Sequence, residues 1–219
     1  MPQIFPRWTN VGSKMSVIGA FASLALLTWT SMVYVQSSYG TNAGLKPVQP
    51  IPFSHEHHTG VLGIDCRYCH TAVERSPFAG MPETKTCMNC HSQIWVGSAM
   101  LAPVRESYRT DKSIEWERVY NTPGFVYFAH HIHVQKGIGC SSCHGRIDRM
   151  PFTQQSASLL MEWCLDCHRD PAQHVRPREE VFNMSYEWPA NQRELGTRLV
   201  EEHKIRDVQQ LTSCSTCHR

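Results

Sequence analysis

The chain has 219 residues and a formal charge of only +2, with no basic run, which excludes a nucleic-acid-binding surface. No G-x-G-x-x-G, P-loop or nucleophile motif is present, so nucleotide chemistry and covalent catalysis are excluded as well. What stands out instead is ten cysteines and 13 histidines, residues that bind metals and prosthetic groups.

The first 44 residues carry two charges, Arg7 and Lys14. Val17 to Val35 is a charge-free run long enough for one membrane crossing and longer than the apolar stretch of most cleaved signals. Trp8, Trp29 and Tyr34 are placed as interfacial anchors. Basic residues precede the run and none follow it closely, which predicts a single-pass anchor with the N-terminus in the cytoplasm and the rest outside. Residues 36–50, with Gly40, Gly44, Pro47 and Pro50, read as a linker.

Next comes FSHEHHTGVLGIDCRYCH, residues 53–70, with His55 and His58 three apart and Cys66, Cys69 and His70 behind them. Cys87, Cys90 and His91 complete a first module, 53–91. Ser92 to Tyr127 has no motif and reads as a packing or docking excursion. The second module, 128–168, opens with FAHHIHVQKGIGCSSCH. It repeats the pattern with His130, His133, Cys140, Cys143 and His144, then adds Cys164, Cys167 and His168. Within residues 169–213, Leu195, Leu199 and His203 recur every four residues, an amphipathic helix signal. Cys214, Cys217 and His218 end the series.

All ten cysteines thus fall in five C-x-x-C-H units. Zinc knuckles and disulfides use C-x-x-C alone, whereas the added histidine five times over specifies covalent c-type haem. Two thiols on one helical turn form thioethers with the ring, and the next histidine is aimed at the iron. Five haems c are expected. The 175 residues from Leu45 onward leave 35 for each, too few for separate apolar cores. The expected fold is therefore mainly α and irregular, with short motif-bearing helices, 13 glycines and 13 prolines in the connections, the haems as the core of domain 45–219, and residues 1–44 as stub, transmembrane anchor and linker start.

His55, His58, His130 and His133 are the candidate sixth ligands, each pair serving two haems, because i, i+3 residues share a helical face. His57, His131, His174 and His203 remain in reserve. For the one haem left over, Met150 in the turn HGRIDRMP is the favoured ligand, which would raise that haem's potential. Arg67, Arg146, Arg149 and Arg169 are candidate partners for haem propionates.

The motifs FSHEHH before IDCRYCH, TCMNCHSQIW, CSSCHGRIDRMP and the terminal CSTCHR, with one N-terminal anchor, resemble the pentahaem cytochrome subunit of bacterial alternative complex III over nearly the whole chain. That resemblance implies a quinol:acceptor oxidoreductase of the bacterial inner membrane, with the haem domain on the periplasmic side. It implies integral-membrane quinol-oxidising subunits, an iron-sulfur subunit, a monohaem cytochrome c subunit, and a soluble or oxidase acceptor. The alternative is a self-contained membrane-anchored multihaem quinol dehydrogenase; a catalytic multihaem reductase is a third reading.

Overall fold

A single helix, α1 (Thr9–Gln36), dominates the N-terminal part of the chain. The computed structural model describes residues 4–218; the first three residues of the expected cytoplasmic stub, and Arg219 after the fifth motif, lie outside the described residues. Its 28 residues extend about 42 Å at 1.5 Å per residue, more than the roughly 30 Å hydrocarbon core of a bilayer. No residue of α1 is buried. Two of its hydroxyls turn back onto the helix, Thr28 donating to the Leu24 carbonyl at 2.8 Å and Thr30 to that of Leu26 at 2.9 Å, as an apolar surrounding favours. The extended backbone of Ser37 (ψ 161°) ends it, and the Ser37 hydroxyl returns to the Tyr34 carbonyl at 2.6 Å. A short α2 (Ser38–Thr41) follows. By length and composition α1 is able to cross a membrane; a signal sequence has the same properties.

Residues 1–42 and 43–219 form two compact units. The second is helical and irregular. Among the described residues it contains no strand, only isolated antiparallel bridges pairing Val126 with His218 and Ile138 with Val175. A π-helical turn, Glu56–Val61, precedes α3 (Cys66–Cys69) and α4 (Thr84–His91). α5 (Ala102–Thr110), α6 (His130–Gln135), α7 (Cys140–His144) and α8 (Met161–Arg169) come next. The chain finishes with α9 (Gln192–Glu202), α10 (Val208–Leu211) and α11 (Cys214–Cys217). The five cysteine pairs thus sit on α3, α4, α7, α8 and α11.

The protein-only core is small. Ile51, Leu101 and Val104 cluster with Cys87, Met88, Ile114 and Trp116. The motif-free excursion between the modules therefore supplies apolar packing for the second motif, with Pro103 in the first turn of α5, where its missing N–H costs nothing. The Leu195/Leu199/His203 periodicity corresponds to α9, on which Leu199 is buried with His203 just past its end. Gln192 and Gly196 complete the buried face, which the leucine spacing alone does not reveal. The π turn lies so close to the 3-10 turn Ile147–Arg149 that a Cβ on Gly60 would overlap the carbonyl oxygen of Asp148. That contact joins the two modules.

Candidate haem-binding sites

The two Phe-x-His-x-x-His segments fold alike. Phe53 meets the ring of His55 edge-on (4.9 Å, 87°) and stacks on His58 (4.5 Å, 23°). Phe128 meets His130 edge-on (4.8 Å, 86°) and stacks on His133 (4.6 Å, 27°). Each phenyl ring thus wedges two imidazoles apart in fixed orientations. Neither phenylalanine stands out by chemistry in the sequence, although both occupy the same place in the repeat, two residues before the first histidine.

Hydrogen bonds complete the orientation. His58 Nδ1–H donates to the Ser54 carbonyl (2.8 Å) and His133 Nδ1–H to that of Ala129 (2.9 Å), both one turn back. The other two histidines are held by the opposite module: His130 Nδ1–H by the Pro77 carbonyl and His55 Nδ1 by the Thr153 hydroxyl, each at 2.9 Å. Three of the motif histidines follow the same rule, His70 bonding Gly80 (2.7 Å), His168 bonding Leu211 (2.9 Å) and His91 bonding Ile94 (3.2 Å) through Nδ1 and a carbonyl. His218 Nδ1 meets the Phe125 carbonyl at 3.3 Å. A carbonyl on Nδ1 fixes the tautomer that leaves the Nε2 lone pair free for a metal.

Three of these histidines face motif histidines. Ring centroids lie 6.2 Å apart for His58 and His91, 6.4 Å for His130 and His144, and 6.2 Å for His133 and His168. Two imidazoles on one ion, bonded at about 2.0–2.1 Å with ring centres about 1.1 Å behind the nitrogens, would stand about 6.3 Å apart. The donor set fits iron held between two histidines. His55 has His70 as its strongest charged neighbour; burial and then that neighbour push its pKa down to about 4. Burial, then His130, does the same to His144, also to about 4. Burial depresses His133 too. All three are therefore neutral at pH 7, the form that ligates.

The remaining candidates have other surroundings. His57 stacks on Trp95 (6.2 Å, 20°), and Nδ1 of His131 is buried without a hydrogen-bond partner. His203 is enclosed by protein, its Nδ1 on the Lys136 carbonyl at 3.2 Å. The Met150 methyl end lies 3.7 Å from a Cβ built on Gly145, beside the third motif, and its carbonyl accepts the Glu56 N–H at 3.1 Å. Phe125 is the ring beside His218 (5.8 Å). Arg67 and Arg146 are each forked onto an aspartate of their own loop, Asp65 and Asp148.

The motif helices touch in succession. Asn89 of the second motif donates to the Tyr68 hydroxyl of the first at 3.0 Å. The thiols of Cys66 and Cys140 hydrogen-bond to each other, joining the first and third motifs and holding the Cys66 thiol below its usual range. Burial, then the thiols of Cys167 and Cys164, push Cys143 up to about 12, so the third and fourth motifs adjoin. Cys217 lies close enough to Cys164 to raise its pKa after burial has done so, and α10, which leads into the fifth motif, supplies the Leu211 carbonyl to His168.

Paired cysteines with a following histidine, set against second histidines at metal-bridging separation, define a multihaem cytochrome c. The cytochrome c3 family matches residues 132–219. Over 164 residues the chain is 34% identical to "Menaquinone reductase, multiheme cytochrome c subunit" of Nitratidesulfovibrio vulgaris, covering 74% of this chain and 67% of that protein. The chain belongs to this family of multihaem cytochrome c subunits.

Proposed function

We propose that the chain is the electron-transfer subunit of a membrane quinol:acceptor oxidoreductase of the alternative complex III kind, carrying five haems c. Bound haem supplies one-electron redox chemistry at each motif. Cys66, Cys69, Cys87, Cys90, Cys140, Cys143, Cys164, Cys167, Cys214 and Cys217 would hold the rings, and His70, His91, His144, His168 and His218 the irons. His55, His58, His130 and His133 would be opposite ligands for His70, His91, His144 and His168 respectively. That assignment is supported by the ring separations of 6.2–6.4 Å for the last three pairs and by the electrostatic contact for the first.

The observation that carries the reading is the succession of motif contacts, second to first to third to fourth to fifth. It makes an unbranched series with the second and fifth motifs at its ends. Two ligands on one turn bring neighbouring sites together: His55 caps the π turn that carries His58, and His130 and His133 share α6. A chain that only relays electrons needs such a series and no substrate pocket. α1 would anchor it, with residues 45–219 on the periplasmic face. Integral-membrane, iron-sulfur and monohaem partners follow from the resemblance. The relative's name describes menaquinone reduction; a wire of this kind conducts either way, and its partners' potentials set the direction.

Intact-mass measurement of the denatured chain tests the haem count, with five haem masses expected and a smaller number with zinc overturning it. Gentle detergent extraction should co-purify larger membrane subunits that carry the quinol site. Rapid reduction of the isolated full chain by a quinol would instead establish a self-contained quinol dehydrogenase.

A further inference from the structure

Arg176 is 1% exposed, the largest fully buried side chain among the described residues. Among the described residues no carboxylate forms an ion pair with it. Its guanidinium donates to the carbonyls of Glu180 (3.3 Å) and Asn183 (3.1 Å) and to the hydroxyls of Ser141 (3.0 Å) and Ser142 (3.3 Å). The faces of Tyr186 and Trp188 lie 4.6 and 5.2 Å from it. Nε has no partner. The Glu180 carboxylate, four residues on, takes the Asn183 amide at 2.6 Å.

Ser141 and Ser142 are the two residues between Cys140 and Cys143. The guanidinium also lies against Gly139, where a Cβ would overlap it, so the glycine before the motif leaves room for the cation. A buried, unneutralised charge is costly, and arginine does not shed its proton to relieve the cost. Hydroxyls, carbonyls and aromatic faces solvate this one, and the Glu180 carboxylate acts on it only from beyond ion-pair distance.

We propose that Arg176 is a positioning residue for redox rather than for shape: its fixed positive charge, set beneath α7, raises the reduction potential of the haem held by Cys140, Cys143 and His144. The inference rests on the haem reading above. Adding an electron beside a cation is favoured, and burial in a low dielectric lengthens the reach of that charge. The third site is the middle of the series, so its potential governs passage between the two modules.

Redox titration of the haem-loaded full chain, followed by its absorption bands, tests this. In Arg176→Gln one component is expected to become harder to reduce, its reduced-to-oxidised ratio at fixed potential falling about tenfold, about 59 mV for a one-electron couple. Arg176→Lys keeps the charge and should stay near the wild type. If Arg176→Gln does not load haem, Tyr186→Glu, which offers the guanidinium a carboxylate from a more exposed position, is compared with Tyr186→Gln; only the glutamate should lower the component. Equal shifts in the glutamine and lysine variants at 176, or no difference between the two variants at 186, would overturn the proposal. His130→Ala marks the third haem independently: no displaced component there sinks the axial pairing, not the role of Arg176.

Discussion

The imidazoles of His58 and His91 are crossed at 65°, whereas those of His130 and His144 are nearly parallel at 13°. His133 and His168, at 30°, resemble the latter. Parallel ligand planes split the two iron d orbitals with which they overlap; crossed planes leave them nearly degenerate. The oxidised protein is therefore expected to show one low-spin signal of large g anisotropy beside ordinary rhombic ones. His58→Met should remove the anisotropic signal and spare the rhombic ones; its survival would separate His58 from the second haem.

Replacing His55 or His133 with alanine should each turn one haem high-spin, read as carbon monoxide binding to the reduced protein. The neighbouring ligand on the same turn stays in place, so the change is confined to one site. Low-spin spectra unaltered in both variants would remove the assignment.

Phe128→Ala acts differently, since its ring touches both His130 and His133. Loosening two ligands at once should raise carbon monoxide binding at two haems, each only partly. A variant indistinguishable from the wild type would make Phe128 mere packing.

Gly60→Ala forces a methyl group against the Asp148 carbonyl. Overpacking of this type costs about 1–3 kcal/mol, and the thermal midpoint of the haem-loaded protein should fall accordingly. Gly97 has open space around its Cβ position, so Gly97→Ala should leave the midpoint alone. Equal behaviour of the two would mean that the modules do not rely on this contact.

Met150 is our proposed thioether ligand for the haem without a distal histidine, which the four pairings leave at His218. Met150→His should lower the highest midpoint selectively, since a second imidazole stabilises ferric iron relative to a thioether. Its side chain lies beside Gly145 of the third motif. If the component displaced is the one that His130→Ala displaces, Met150 is a neighbour of the third haem and not a ligand of the fifth.

The sequence by itself determined whatever depends on spacing along a few residues. Five C-x-x-C-H units specify the prosthetic group because thioether and iron bonds need that local geometry, and His55/His58 and His130/His133 share a turn because three residues make nearly one revolution. The apolar N-terminal helix is likewise a local property, although its extension back to Thr9 goes beyond the apolar run. Tertiary structure decided which groups meet across long stretches of chain. Pro77 holding His130 over 53 residues, Thr153 holding His55 over 98, and Arg176 reaching Ser141 over 35 have no local signature. Any of 15 arginines is equally able, by composition, to be the buried one. Such contacts come from packing two modules and α9 around shared sites, where the partner of each polar group is chosen by shape and burial rather than by its place in the chain.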